Sequence, residues 1–199
     1  IPRFFDVTKG KILVDGVDIR EMKLADLRDR IGYVPQKGVL FSGTIDSNIR
    51  YGKDDASAEE VERAARIAQA WDFIQEKEDG VQSPIAQGGT NVSGGQKQRL
   101  SISRAIAKNP EIYIFDDSFS ALDYKTDVVL RRALKKETRD ATTLIVAQRI
   151  STILHADKIL VLDEGHVVGQ GTHKELLKSC DIYRQIAMSQ LSEEELANE

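Results

Sequence analysis

The sequence has little of several residue types on which whole classes of protein depend. Its 199 residues include a single cysteine, Cys180, four prolines and 6% aromatic residues. One cysteine excludes an intrachain disulfide framework and a cysteine-based metal cluster within these residues. The longest apolar runs, such as residues 159–162, are far shorter than the ~20 residues that a membrane-spanning helix needs. The sequence therefore predicts neither a disulfide scaffold nor a membrane span.

No strong charge of one sign is present. There are 28 Lys and Arg residues against 32 Asp and Glu residues, a net charge of −4. Glu193, Glu194, Glu195 and Glu199 account for that excess, and we expect residues 192–199 to form a solvated acidic tail. A nucleic-acid partner bound mainly through charge is not expected. The three histidines also lack the His-x-x-x-His spacing of a helical zinc site.

Hydrophobic periodicity predicts alternating strands and helices. Strands are predicted at residues 11–14, 31–34, 112–115 and 143–146. Helices are predicted at residues 24–30, 44–51, 57–69, 97–108 and 124–137. The strand, helix and strand over residues 112–146 form a βαβ pattern, which predicts an α/β fold with a mostly parallel sheet and ligands at the carboxyl ends of its strands. Residues 159–170, centred on Glu164-Gly165, predict a β-hairpin.

A Ser-Gly-Gly-Gln sequence opens one of the predicted helices. Ser93 and Gln96 have the spacing of a capping box, and Gly94 and Gly95 present backbone amides without side chains. The amino end of a helix with such bare amides is suited to bind an anion such as phosphate. The alternative is an ordinary Gly-Gly turn into a helix.

Two carboxylates follow a buried-type strand. Asp116 at such a strand end can hold Mg²⁺ through water, and Asp117 can orient or deprotonate a water that attacks a phosphoryl group. The alternative is a strand-to-loop transition whose carboxylates cap a helix. Ser120-Ala-Leu-Asp123 follows immediately and precedes the βαβ crossover.

Together these residues resemble the nucleotide-binding domain of an ATP-binding cassette (ABC) transporter. The resemblance extends over five motifs in order: residues 33–36 (Tyr-Val-Pro-Gln) resemble the Q-loop, 92–96 the family signature with Val in place of Leu, 112–116 the Walker B strand, 120–123 the D-loop and 145–149 the switch strand. Residues 41–49 further resemble the exporter branch, in which this region abuts the coupling helices of the membrane domain.

The resemblance implies a fold, cofactors and roles. It implies a P-loop NTPase-like ABC domain over residues 1–199, with a helical subdomain at about 44–106 that carries the signature, at the cytoplasmic face of a membrane through fused or associated transmembrane domains. The cofactors implied are ATP and Mg²⁺. The residues implied are, for catalysis, Gln36, Asp117 and Gln148; for magnesium, Asp116 and Gln36; and for nucleotide binding, Ser93, Gly94, Gly95, Gln96 and Asp123.

Three departures from the family pattern carry information. The sequence has no Gly-x-x-x-x-Gly-Lys-Ser/Thr loop, and we expect one roughly 10 to 20 residues before Ile1. Asp117 stands where a glutamate is usual, and Gln148 where a histidine is usual. The pair resembles the degenerate half of a heterodimeric exporter, in which two non-identical domains pack head to tail. This chain would then contribute a slow site and complete the partner's site with its own signature.

Two other functions fit part of the same pattern. A soluble ABC ATPase of DNA repair or translation would share the signature and the Walker B strand, but residues 41–49 and the charge count against it. An ATP-binding regulatory module without turnover is the other alternative, and Asp117 and Gln148 favour it. Upstream apolar segments separate the first alternative from an exporter, and phosphate release separates the second.

Overall fold

The computed structural model describes residues 1–191, and its contacts divide the chain into two compact units. The first unit is Ile1–Val146, and the second begins at Ala147. The predicted acidic tail, residues 192–199, lies outside the described residues.

The first unit alternates short strands with helices. Its strands are β1 (Leu13–Val14), β2 (Val17–Asp18), β3 (Ile31–Val34), β4 (Gly43–Thr44), β5 (Pro84–Ile85), β6 (Ile112–Asp116) and β7 (Thr142–Val146). Its helices are α1 (Leu24–Asp29), α2 (Ile45–Arg50), α3 (Ala58–Ile67), α4 (Trp71–Gln75), α5 (Gly94–Lys108) and α6 (Tyr124–Glu137).

The main sheet of this unit has three parallel strands in the order β3, β6, β7. Ile31 lies opposite Ile112, and Ile112 lies opposite Thr142, so the strands start level. Their carboxyl ends consequently share one edge, where Val34 and Asp116 lie. The predicted α/β fold with a parallel sheet is confirmed, and β6, α6 and β7 form the predicted βαβ unit.

Helix α5 is the longest helix of the first unit and packs beside this sheet. Its Leu100, Ile102 and Ile106 are fully buried in the cluster that also takes Tyr113 and Phe115 from β6. The alternate β6 residues belong to a second cluster, which also contains the buried residues Ile19, Leu27 and Ile31. Because side chains alternate along a strand, these clusters lie on opposite faces of the sheet.

Local capping signals in the sequence correspond to observed helix starts. Ser57 and Ser93 each form a reciprocal capping box at the start of α3 and α5. The predicted strand at residues 11–14 is shorter than expected, because only Leu13–Val14 pairs, with Val17–Asp18.

The loop before α2 contributes one residue to the core. Leu40 is only 2% exposed, while its neighbours Val39 and Phe41 are 50% and 43% exposed. Leu40 packs into the main core of the first unit, which a local hydrophobic pattern does not predict.

The second unit packs a hairpin against three helices. Its elements are α7 (Ile150–Ile153), β8 (Ile159–Asp163), β9 (His166–Gly171), α8 (His173–Ser179) and α9 (Asp181–Gln190). Glu164 and Gly165 take positive φ angles in the predicted two-residue turn. Cys180 is buried in the core of this unit. Among the described helices, none is long and apolar enough to cross a membrane.

Replacement of Asn48 tests which contacts hold residues 39–42, the end of the loop beside α5. Asn48 is 1% exposed. Its side-chain oxygen accepts hydrogen bonds from the Phe41 N–H and from the Arg104 guanidinium, and its side-chain nitrogen donates to the Phe41 carbonyl. We expect Asn48→Ala to lower the free energy of unfolding by about 2 to 4 kcal/mol, because several buried polar groups lose their partner. Chemical denaturation of the 199-residue chain measures this.

Asn109 provides the matched control. It is an exposed asparagine at the end of α5 with a left-handed φ of 50°. Asn109→Gly should change the free energy of unfolding by less than about 0.5 kcal/mol, because glycine adopts this conformation readily. Equal losses in the two variants would contradict the role given to Asn48.

Candidate functional site

The carboxyl edge of the parallel sheet brings together two of the predicted motifs. Tyr33 on β3 donates its hydroxyl to Oδ2 of Asp116 on β6, at 3.1 Å. Burial raises the pKa of Tyr33, and the hydrogen bond to Asp116 raises it further. The phenol therefore stays protonated near neutral pH and remains a donor to this carboxylate.

A second contact joins Gln36 to Asp117. The amide Nε2 of Gln36 donates to Oδ2 of Asp117 at 3.1 Å, although the residues are 81 positions apart in the chain. The backbone N–H of Asp117 donates to the Val146 carbonyl at 2.9 Å, which fixes it to the end of β7. Asp117 has a left-handed φ of 45°, a conformation that Asp adopts more readily than longer side chains do.

The donor set at this edge fits a magnesium ion. Mg²⁺ is usually held by one or two carboxylates, together with water and substrate phosphates. Asp116 supplies a carboxylate, and Gln36, whose amide nitrogen binds Asp117, retains its carbonyl oxygen as a possible ligand. Within residues 1–191, no three His, Cys, Asp or Glu side chains are grouped to hold a metal alone. Water or substrate phosphates would complete the coordination of an ion bound here.

The Ser-Gly-Gly corner at the amino end of α5 has the predicted capping geometry. Ser93 Oγ accepts from the Gln96 N–H at 3.2 Å, and Gln96 Oε1 accepts from the Ser93 N–H at 3.0 Å. Both Ser93 and Gly94 are exposed. The first amides of a helix have no acceptor inside the helix, so this corner offers free donors to an anion.

Packing does not explain the glycines of this corner. A Cβ atom on Gly94 would have no neighbour within 4 Å, and one on Gly95 would lie 3.4 Å from the Ala121 carbonyl oxygen. Both residues are helical, so neither is needed for a positive φ. Access to the backbone amides therefore explains the pair better than the alternative of an ordinary turn.

Asp123 has a structural role in the described residues. Its carboxylate caps α6, accepting from the Thr126 N–H at 2.9 Å and from the Thr126 hydroxyl at 2.7 Å. These bonds hold the pKa of Asp123 below its usual value, the hydroxyl being the largest cause. The residue is also exposed, so a nucleotide contact would come in addition to the cap.

Gln148 belongs to the second unit. Its backbone carbonyl accepts from Nε2 of Gln190 at 2.9 Å, and the Oε1 atom of the same Gln190 accepts from the Ile150 N–H at 2.8 Å. These bonds fix the start of α7 beside Gln148, whose side chain is exposed.

Sequence reasoning missed three residues that support the carboxyl edge. Tyr33 lies within a motif, but its contact with Asp116 was not foreseen. Ser118 and Gln98 are both fully buried, and each donates to the backbone of the β3 end. A polar residue on the apolar face of a helix, as Gln98 is on α5, is the signal that could have identified one of them.

Replacement of Gly94 tests whether this glycine serves access and not folding. We expect Gly94→Ala to leave the free energy of unfolding unchanged or to raise it by up to ~1 kcal/mol, because alanine is the better helix former. The control is Gly52→Ala, whose Cβ would lie 2.4 Å from the Arg104 carbonyl oxygen and should destabilise by about 1 to 3 kcal/mol. Denaturation of both variants measures the contrast, and a loss at Gly94 equal to that at Gly52 would contradict it.

Comparison with known proteins identifies the family. The ABC transporter family model matches residues 1–120. An uncharacterized ABC transporter ATP-binding protein of Mycobacterium bovis is 48% identical over 193 residues, which are 96% of this chain and 33% of that protein. The ATP-dependent lipid A-core flippase of Albidiferax ferrireducens is 47% identical over 191 residues, again 96% and 33%. A putative multidrug export ATP-binding/permease protein of Staphylococcus aureus is 47% identical over 186 residues, 94% and 32%.

A solved structure shows the same fold. A bacterial Atm1-family ABC exporter with ATP bound matches with a TM-score of 0.93 and 41% sequence identity, over 96% of this chain and 34% of that one. The chain thus spans about a third of the length of the curated relatives it matches. With the family model matching more than half of its residues, the chain belongs to the ABC transporter family.

Proposed function

We propose that this chain is the ATP-binding and ATP-hydrolysing part of an exporter, and that it acts at the cytoplasmic face of a membrane. Two of its relatives are named for lipid A-core flipping and multidrug export, and the matching solved structure is an exporter with ATP bound. The proposal includes no nucleic-acid partner, because a chain with a net charge of −4 is not expected to bind nucleic acid mainly through charge.

The Gln36–Asp117 contact is the observation that carries the proposal. It joins two motifs 81 residues apart at the edge where a parallel sheet presents residues to a ligand. Asp116 and Gln36 would hold Mg²⁺, which when bound neutralises charge on the phosphates of ATP. Asp117 would orient the attacking water. Tyr33 keeps the Asp116 carboxylate in place by its hydrogen bond.

We further propose that hydrolysis at these carboxylates is slow. Asp117 is one methylene shorter than glutamate, so its oxygens reach less far, and a misplacement of about 1 Å can cost on the order of 10²-fold in rate. Gln148 can hydrogen-bond a phosphate, but it cannot titrate near neutral pH as a histidine does. Each of these two residues would lower the rate of hydrolysis.

The amino end of α5 would serve a different nucleotide. In a head-to-tail pair of domains, Ser93, Gly94, Gly95 and Gln96 would face the triphosphate held by a second, non-identical nucleotide-binding domain, with Asp123 nearby. The exposed capping box and the uncrowded glycines support this role. A helical subdomain at about residues 44–106 would carry this corner.

The surface formed by Phe41, Tyr51 and Arg104 supports contact with a transmembrane domain. The rings of Phe41 and Tyr51 lie 4.6 Å apart, and the Arg104 guanidinium lies over both at 5.2 and 5.4 Å. Phe41 and Tyr51 are nevertheless 43% and 64% exposed. Exposed aromatic rings held in place by a cation are typical of interface residues, so residues 41–49 and this pair would meet the coupling helices.

The two sites predict unequal effects of mutation. In the complete transporter, replacing Ser93 or Gly95 with a bulky residue should abolish most ATPase activity, because it blocks the fast site of the partner. Asp117→Asn should change the rate less than about 2-fold, because its own site contributes little turnover. Steady-state phosphate release measures both.

The wild-type transporter serves as the reference for these variants. The free energy of unfolding of each variant separates crowding at the amino end of α5 from loss of the fold. A large loss for Asp117→Asn together with near-normal activity for the bulky Ser93 variant would contradict the assignment. Absence of phosphate release from the wild type would favour a regulatory module without turnover.

A further inference from the structure

Two successive backbone carbonyls at the end of β3 are held by buried side chains from different motifs. Ser118, next to Asp117, donates its hydroxyl to the Val34 carbonyl at 2.9 Å. Gln98, on α5, donates Nε2 to the Pro35 carbonyl at 3.1 Å. Ser118 is 0% exposed and Gln98 is 1% exposed. The next residue along the chain is Gln36, whose amide binds Asp117.

These two bonds hold the start of the segment that carries Gln36. Residues 35–42 belong to no helix or strand, so no ladder of backbone hydrogen bonds fixes them. The segment also packs closely on α5, because a Cβ atom on Gly38 would lie 2.8 Å from the Lys97 carbonyl oxygen. The segment therefore rests directly on the backbone of α5 beside Gln98.

Because Gln98 is buried, loss of its hydrogen bond to the Pro35 carbonyl is costly. A buried amide that loses its hydrogen bond, or a carbonyl that loses its donor, suffers a desolvation penalty. Any displacement of α5 relative to β3 must thus either carry Pro35 along or break this bond. Because Pro35 is covalently joined to Gln36, the position of the Gln36 amide follows that of α5.

We propose that Gln98 is a positioning residue that sets where Gln36 stands relative to Asp117. It thereby couples the carboxylate site, formed by Gln36, Asp116 and Asp117, to the helix whose amino end carries Ser93. This inference rests on the proposed function, since it assigns an effect on ATP held at the carboxylate site. A coupling of this kind acts in both directions, so the occupancy of either site biases the other.

The test uses the complete transporter with Gln98→Leu, which keeps the approximate volume and removes the donor. Hydrogen–deuterium exchange without nucleotide reports the segment directly, and we expect exchange in peptides covering residues 36–43 to rise about 10-fold. Release of radiolabelled ATP, chased with unlabelled ATP in the presence of Mg²⁺, reports the site. The rate constant of the slow phase of ATP release should rise roughly 3- to 10-fold.

Two controls separate positioning from general packing. Ser101→Ala removes a different buried polar group, a hydroxyl, from the same helix; Ser101 is 3% exposed, and both readouts should match the wild type. In a Gln36→Ala background, Gln98→Leu should cause no further acceleration of release, because the residue through which it acts is gone.

Several results would overturn the inference. Unchanged exchange in residues 36–43, unchanged ATP release, or an equal acceleration in the Gln36→Ala background would each do so. A rise in exchange shared by β6 peptides would also contradict it, because that pattern marks general destabilisation. A wild-type transporter that binds no ATP would instead contradict the proposed function.

Discussion

The packing of α5 against the parallel sheet is the contact on which both candidate sites depend. Gly32 on β3 permits the close approach of α5 to the sheet, since a Cβ there would lie 2.7 Å from Pro110 Cγ and 3.5 Å from Ala105 Cβ. The fully buried Leu100, Ile102 and Ile106 of α5 supply apolar contact worth about 1.5 to 3 kcal/mol each. These apolar contacts hold α5 against the sheet, and they thereby fix the positions of its two polar ends.

A single rigid helix consequently connects surfaces of different chemistry. Its amino end exposes the Ser93 corner, and Arg104 lies about 16 Å further along, at 1.5 Å per residue. There the Arg104 guanidinium donates to the backbone carbonyls of Val39 and Asn48 and supports the Phe41 and Tyr51 rings. A force on the Phe41 and Tyr51 rings would reach the Ser93 corner through the backbone of α5.

How much the sequence could predict follows from the range of each interaction. Capping boxes such as the one at Ser93, the βαβ unit and the Glu164-Gly165 hairpin depend on neighbouring residues, so their patterns were sufficient. The burial of Leu40 and the Tyr33–Asp116 hydrogen bond depend on residues far along the chain, and periodicity carries no such information. Gln98 was missed for the same reason, since its partner carbonyl is 63 positions away. The roles of the site residues remain predictions.

The central claim is that the Ser93 corner completes a nucleotide site on another domain. The most direct measurement is a structure of the complete transporter trapped with ATP and Mg²⁺. The account predicts Ser93 Oγ and the Gly95 N–H within about 3 Å of the terminal phosphate of the nucleotide held by the partner domain. A trapped complex in which this corner lies far from every triphosphate would contradict it.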